Sequence, residues 1–187
     1  MVAASGIRFC FIKATEGDSE VDPRFLANWR AAQQADIARG AYHFFHPALP
    51  VTSQADLFLT TVRQADAGDL PPVLDLEAPL EWAPVPLAER AARALHWLQL
   101  VEQSIERRPL VYLSPSFMTE VLENASALSA YALWIAEYTP APAPSVPAPW
   151  KIWKFWQHTG DGSAAGISTP VDLSWFNGTL NDLKRLA

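Results

Sequence analysis

The sequence predicts an α/β fold in which short strands alternate with helices around a parallel sheet. Three observations carry that prediction: β-type runs are separated by helical ones, the longest helical run has clear three- and four-residue periodicity, and the connections shorten toward the C-terminus. Strands are expected at residues 8–13 (RFCFIK), 40–45 (GAYHFF), 72–77 (PVLDLE), 110–114 (LVYLS), 133–138 (LWIAEY), 152–158 (IWKFWQH) and 171–176 (VDLSWF). Residues 22–37 read as a helix with Pro23 in its first turn, and 52–64 as a second, with Thr52 or Ser53 as its cap. Over 86–107, Leu87, Ala91, Leu95, Leu98, Val101 and Ile105 fall on one helical face, with Glu89, Arg90, Arg93, Glu102 and Glu106 elsewhere on the wheel. A short helix is expected at 115–123. The next segment, TPAPAPSVPAPW (139–150), holds too many prolines to be helical and reads as a stiff extended loop crossing one face of the fold.

Composition narrows the function. With 187 residues, 50% of them hydrophobic, the chain can bury one sizeable core, and residues 1–187 are expected to form one domain. A formal net charge of −6 argues against nucleic-acid or anionic-membrane partners, both of which reward a basic face. No apolar run approaches the ~20 residues a membrane span needs, and no basic segment followed by an apolar one opens the chain, so no signal peptide is expected. Cys10 is alone and sits in the apolar run RFCFI, as a small buried thiol would. No cofactor is expected and no metal: His43, His46, His96 and His158 form no compact ligand motif, and His96 lies within the long helix.

Chemistry concentrates in PPVLDLEAP, residues 71–79. Alternate residues of a strand share a face, with α-carbons roughly 6.5–7 Å apart two positions on. Val73, Asp75 and Glu77 then face one way and Leu74 and Leu76 the other. In a β/α barrel the leucines would pack against helices and the acids would point inward near the carboxyl ends of the strands. The alternative is an aspartate that caps the next helix, or an acid paired to a base. Two adjacent inward acids are costly unless their protonation is split, and a split pair is what acid-assisted glycosidic cleavage requires. Aromatic and amide side chains gather at the same strand ends: Tyr42 or His43, Phe45, Tyr112, Trp134, Tyr138 beside Glu137, Trp153, Trp156 and Gln157, with Asp172 in the last strand. Rings with apolar faces and polar edges suit a sugar-binding cleft.

These segments resemble glycoside hydrolase family 25, the Chalaropsis-type lysozymes or N-acetylmuramidases. The match runs through FIKATEG, GAYHFF, PPVLDLE, LWIAEY, WQHTGDG and the closing VDLSWFNG, in the family's order. The resemblance implies a TIM-like (β/α) barrel, incomplete and irregular in its C-terminal half. It also implies hydrolysis of the β-1,4 bond between N-acetylmuramic acid and N-acetylglucosamine in peptidoglycan, at the bacterial cell wall. By resemblance Glu77 is the general acid and then base, Asp75 the partner that stays ionised, and Asp172 a residue balancing their charge. His43 or Tyr42, with Phe45, Tyr112, Trp134, Tyr138 and Gln157, would line the sugar subsites.

One departure stands out. Family members open with a strand bearing an aspartate in a segment like D-V-S, whereas MVAASGIRF matches the segment just after that strand, so the strand and its aspartate are expected to be missing. The strands at 8–13 and 171–176 would then lose a shared neighbour, and their free edges would invite self-association. Two functions remain open: a muramidase, or a catalytically impaired relative that binds glycan without cleaving it.

Overall fold

The computed structural model describes residues 2–66, 68–123 and 125–186. Its centre is an eight-stranded sheet of β1 (Phe9–Glu16), β2 (Glu20–Val21), β3 (Ala38–Phe44), β4 (Val73–Asp75), β5 (Leu110–Leu113), β6 (Ala132–Ala136), β7 (Phe155–Gly162) and β8 (Val171–Phe176), in the order β2-β1-β3-β4-β5-β6-β7-β8. Strands β1, β3, β4, β5, β6 and β7 run parallel, while β2 and β8 pair antiparallel with β1 and β7. The helices are α1 (Phe25–Gln34), α2 (Val51–Arg63), α3 (Pro79–Trp82), α4 (Leu87–Ile105) and α5 (Leu180–Lys184). The sheet curls, and the strands at its two ends line one cavity. Among the described residues no strand bridges β1 and β8, so the sheet is a mixed α/β half-barrel.

Alternation along the strands divides the interior in two. Leu74, Leu76, Val111, Leu113, Leu133 and Ile135 pack outward against Phe58, Trp97, Leu98 and Val101 of α2 and α4. Val73, Leu110, Trp134 and Phe155 turn inward and, with Leu70, Leu183 of α5 and the half-buried Phe9, Phe11 and Phe176, fill the concave side. The predicted assignment of Val73 and Asp75 to one face and Leu74 and Leu76 to the other is the one observed.

Several boundaries differ from expectation for local reasons. Strand β4 spans only Val73–Asp75. Leu76 N–H still donates to Tyr112 C=O (2.9 Å), but Ala78 then adopts a left-handed φ of 55°, which turns the chain into α3 and leaves Glu77 just past the strand. Helix α2 begins at Val51 with Pro50 as its cap, so neither Thr52 nor Ser53 caps it: extended Pro50 (φ −60°, ψ 122°) already ends the preceding turn. Residues 117–121 form a single π-helical turn within the predicted short helix. Strand β7 starts at Phe155 rather than residue 152 and runs on to Gly162, because antiparallel β8 gives the extra residues partners. Elements not anticipated are the two-residue β2, α3, 3-10 turns at Val2–Ser5 and Ser126–Ala130, and α5. The last had a readable signal in Thr179-x-x-Asp182, which forms a reciprocal capping box.

Candidate active site

A cavity of about 870 Å³ runs along the concave side between β1 and β8, from Phe9 and Leu183 at one end to the acids Asp75, Glu77 and Asp172 near the carboxyl ends of the parallel strands. One register row crosses the sheet beneath it: Phe44, Asp75, Tyr112, Trp134, Phe155 and Phe176 stand side by side across β3 to β8, and Asp75, Tyr112, Trp134 and Phe176 line the cavity. The cavity is lined by Tyr42, Asp75, Glu77, Tyr112, Trp134, Tyr138, Gln157 and Asp172, among others. Those are the three predicted acids and five of the seven predicted sugar-contacting residues.

His43 and Phe45 lie elsewhere. Both are fully buried, because residues alternate along β3 and Tyr42 occupies the inward position next to them. The ring of His43 stacks on Trp97 with centroids 5.3 Å apart, its Nδ1 lies 2.8 Å from Thr15 Oγ1, and its Nε2 lies 3.2 Å from Gln54 Oε1. Burial drives its pKa down to about 4, so it is a neutral core histidine. Phe45 packs on Trp82 at 5.9 Å. Both belong to the helix-packed face, which corrects their assignment to the sugar site. Trp156 likewise faces outward, with Trp153 and Trp175 beside it.

The acids differ sharply in environment. Asp75 is 6% exposed, and its Oδ1 makes no hydrogen bond among the described residues. Burial pushes its carboxyl well above the usual range, and the charge of Glu77 adds to the effect. Glu77 is reached by solvent at the cavity mouth; its carboxyl is also raised, by the surrounding protein first and then by Asp172. Asp172, exposed on β8, is raised by the protein around it, while a hydrogen bond from Gln157 partly opposes the shift. Burial and the neighbouring acid charges thus favour the protonated form at all three carboxyls. Lys13, on the inward side of β1 over the ring of Phe44, pulls both Asp75 and Glu77 back down. Lys13 was not among the residues expected from the sequence; the signal available was its place at the end of the predicted first strand, two residues after Phe11.

Aromatic groups complete the lining. Trp134 stacks on Phe11 (centroids 4.5 Å, 30°), meets Tyr112 edge-on at 4.7 Å, and donates its indole N–H to Ser174 Oγ at 3.2 Å. Its ring is therefore held rigidly. Buried Gln157 donates through Nε2 to the Tyr138 hydroxyl at 2.9 Å, and Tyr138 is itself 62% exposed. A Cβ on Gly160 would stand 3.1 Å from that hydroxyl and 3.4 Å from Asp172 Oδ1, so a side chain there would crowd the rim. The Tyr42 and Tyr112 hydroxyls are pushed far up by burial and by the nearby acids, and both stay protonated as donors. Cys10, whose thiol burial raises to about 11, is no nucleophile at neutral pH.

Residues 1–167 match the model of glycosyl hydrolases family 25. The chain belongs to this family. Similar family proteins include the uncharacterised YegX of Escherichia coli K12, 39% identical over 182 residues and 96% of this chain, and lysozyme M1 of Streptomyces globisporus, 34% identical over 194 residues and 100% of it. This chain spans 64% of the length of YegX and 65% of that of lysozyme M1. The crystal structure of a lysozyme from Streptomyces coelicolor superposes with a TM-score of 0.92 at 33% identity, covering 100% of this chain and 88% of that one. The family thus includes proteins named lysozymes whose fold this chain shares.

Proposed function

We propose that the chain is a muramidase, a single catalytic domain on an incomplete TIM-like (β/α) barrel, that hydrolyses the β-1,4 bond between N-acetylmuramic acid and N-acetylglucosamine in peptidoglycan. The observation that carries this reading is the acid pair itself: a buried aspartate that lines an aromatic-walled cavity, with one oxygen unpartnered among the described residues, two residues before an accessible glutamic acid of raised pKa. A glycan-binding module has no use for such a pair, which costs stability, whereas acid catalysis near neutral pH depends on one.

The roles follow from position. The cavity's aromatic wall stacks a sugar ring on Trp134, with hydroxyls within reach of Tyr112, Tyr42 and Tyr138. An N-acetyl group seated over Asp75 offers its amide N–H to the carboxylate where it lines the cavity, which favours ionised Asp75 and leaves the shared proton on Glu77. Glu77 gives that proton to the glycosidic oxygen as the C1–O bond breaks. The acetamido carbonyl oxygen bonds to C1, and Asp75 stabilises the positive charge that develops on the amide nitrogen. Water attacks C1, Glu77 takes its proton, and the acetamido group is restored with the anomeric configuration retained. Two acids only two residues apart, at the end of β4 and just past it, suit this substrate-assisted course, since they leave no room for a base on the opposite face of the sugar. Asp172, through its charge, keeps the Glu77 proton in place.

Digestion of purified peptidoglycan, with fragments read by mass spectrometry after borohydride reduction, tests the proposal. Fragments ending in reduced N-acetylmuramic acid are expected. Fragments ending only in reduced N-acetylglucosamine, or none from a folded chain that binds the wall, would refute it.

A further inference from the structure

His46 lies outside the cavity, in the connection between β3 and α2, and is clamped between carboxylates from two other segments. Its Nε2 stands 3.0 Å from Glu16 Oε1 at the end of β1, and its Nδ1 stands 2.5 Å from Glu81 Oε2 on α3. An ionised carboxylate can only accept a hydrogen bond, so both ring nitrogens have to donate. A neutral imidazole has a single N–H and cannot satisfy both partners; the clamp requires the imidazolium. Glu16 is paired on its other side with Lys13, whose hydrogen bond is the chief cause holding its carboxyl below the usual range. It is therefore an acceptor.

Glu81 belongs to the turn that carries Glu77. Its N–H donates to Ala78 C=O (3.0 Å), and Trp82, fully buried, donates its indole N–H to Glu77 C=O (3.2 Å). Between them Ala78 holds its left-handed backbone, a conformation that persists only where the surroundings enforce it. The His46 backbone is fixed independently of its ring: its N–H donates to Gln54 Oε1 (3.0 Å) and its C=O accepts from Gln54 Nε2 (2.9 Å). Removing the ring's charge therefore frees one carboxylate and not the histidine.

We propose that His46 is a positioning residue for the hydrolytic reaction: as an imidazolium it ties Glu81, and with it the turn behind Glu77, to the Lys13–Glu16 pair on β1. The clamp orients the general acid and at the same time holds Lys13 where its charge acts on the carboxylate pair. Other charged groups facing His46 are few. Behind it on β3, His43 is neutral, and from α4, Arg93 donates to Pro47 C=O (3.2 Å) while bound to Glu89 (2.8 Å). Partial burial pulls the His46 pKa down, but the bonds to Glu16 and Glu81 outweigh it and the net shift is upward. The clamp is closed below that raised value. As pH rises through it one bond opens, and Glu81, 41% exposed against 26% for Glu16, is the partner released.

The kinetic consequence rests on the muramidase reading; the clamp itself does not. The experiment combines substrate-free proton–nitrogen spectra of the His46 ring, amide exchange of residues 78–85 corrected for intrinsic rates, and pH profiles of kcat and KM on peptidoglycan for the wild type, His46→Ala, His46→Arg and Glu81→Gln. The ring is expected to titrate above 6.5, with both nitrogens protonated below its midpoint. His46→Ala is expected to lose about tenfold in kcat with KM nearly unchanged and to speed exchange in the turn, as misplacement of a reacting group does. His46→Arg, charged at every pH and able to donate to both carboxylates, is expected to restore kcat and to extend its alkaline limb. Glu81→Gln should lower the His46 midpoint, because its side chain no longer carries the charge. A ring that titrates at or below 6.5, or kcat unchanged in His46→Ala beside an active wild type, would overturn the clamp. A wild type that leaves peptidoglycan intact would defeat the hydrolytic reading, and the ring titration and amide exchange would still decide the clamp.

Discussion

His43 and Asp75 are buried ionisable residues on neighbouring strands, and the fold treats them oppositely. His43 faces the helices: both its nitrogens have partners, its ring lies flat on Trp97, and burial keeps it neutral. Asp75 faces the cavity: one oxygen has no partner, and a second carboxyl comes two residues later. His43 thus has its polar atoms satisfied within the protein, whereas Asp75 lines the cavity with one oxygen unpartnered among the described residues. A one-residue step along a strand separates the two regimes.

The largest expected effect that sharpens this contrast is on the inner face. Glu77→Gln keeps shape and hydrogen bonding but has no proton to transfer, and kcat on peptidoglycan should fall by roughly 10²–10⁴-fold while the unfolding midpoint stays within a degree or two. Wild-type turnover in this variant would remove Glu77 from its role. On the outer face the expected effect is on stability. The folded-state pKa of His43, about 4, is below the unfolded value near 6.5, so its contribution is intact above pH 6.5 and is lost as pH falls toward 4. That loss is about 3 kcal/mol, and denaturant unfolding at pH 7, 5.5 and 4 should show a smaller acid loss in His43→Gln than in the wild type. A smaller effect again is expected from Trp134→Ala, which removes a stacking platform and should weaken glycan binding by about 1–3 kcal/mol; calorimetric titration with a soluble glycan fragment measures it. A loss confined to kcat would place Trp134 elsewhere in the reaction.

The parts of the molecule legible in sequence were those governed by periodicity. The two-residue alternation around Asp75 and the helical stripe from Leu87 to Ile105 came through because each expresses a single face packed on a core. Alternation also contained the correct answer for β3, where Tyr42 faces the cavity and His43 and Phe45 do not; weighting residue type above register assigned all three to one site. The features that stayed hidden depend on partners distant in the chain. The His46 clamp joins β1, the β3–α2 connection and α3, and no local pattern links Glu16, His46 and Glu81. Strand β8 was legible as a strand, and its antiparallel direction carried a signal that went unused: the connection from β7 is too short for the crossover a parallel partner needs.

The contrast between a helix-packed histidine with both nitrogens partnered and a cavity-lining acid with an unpartnered oxygen is tested most directly by measuring stability and hydrolysis together on Asp75→Asn. The folded-state pKa of Asp75 lies above its unfolded value, so the wild type loses stability as pH rises from the unfolded value toward the folded one, and an amide at this position removes that loss. The expected variant is more stable at pH 7, because an amide brings no charge into this buried site, and its hydrolysis of peptidoglycan is reduced by at least about 10²-fold. A variant that is less stable than the wild type, or that still cleaves peptidoglycan at the wild-type rate, would contradict the assignment of Asp75 to a catalytic inner face.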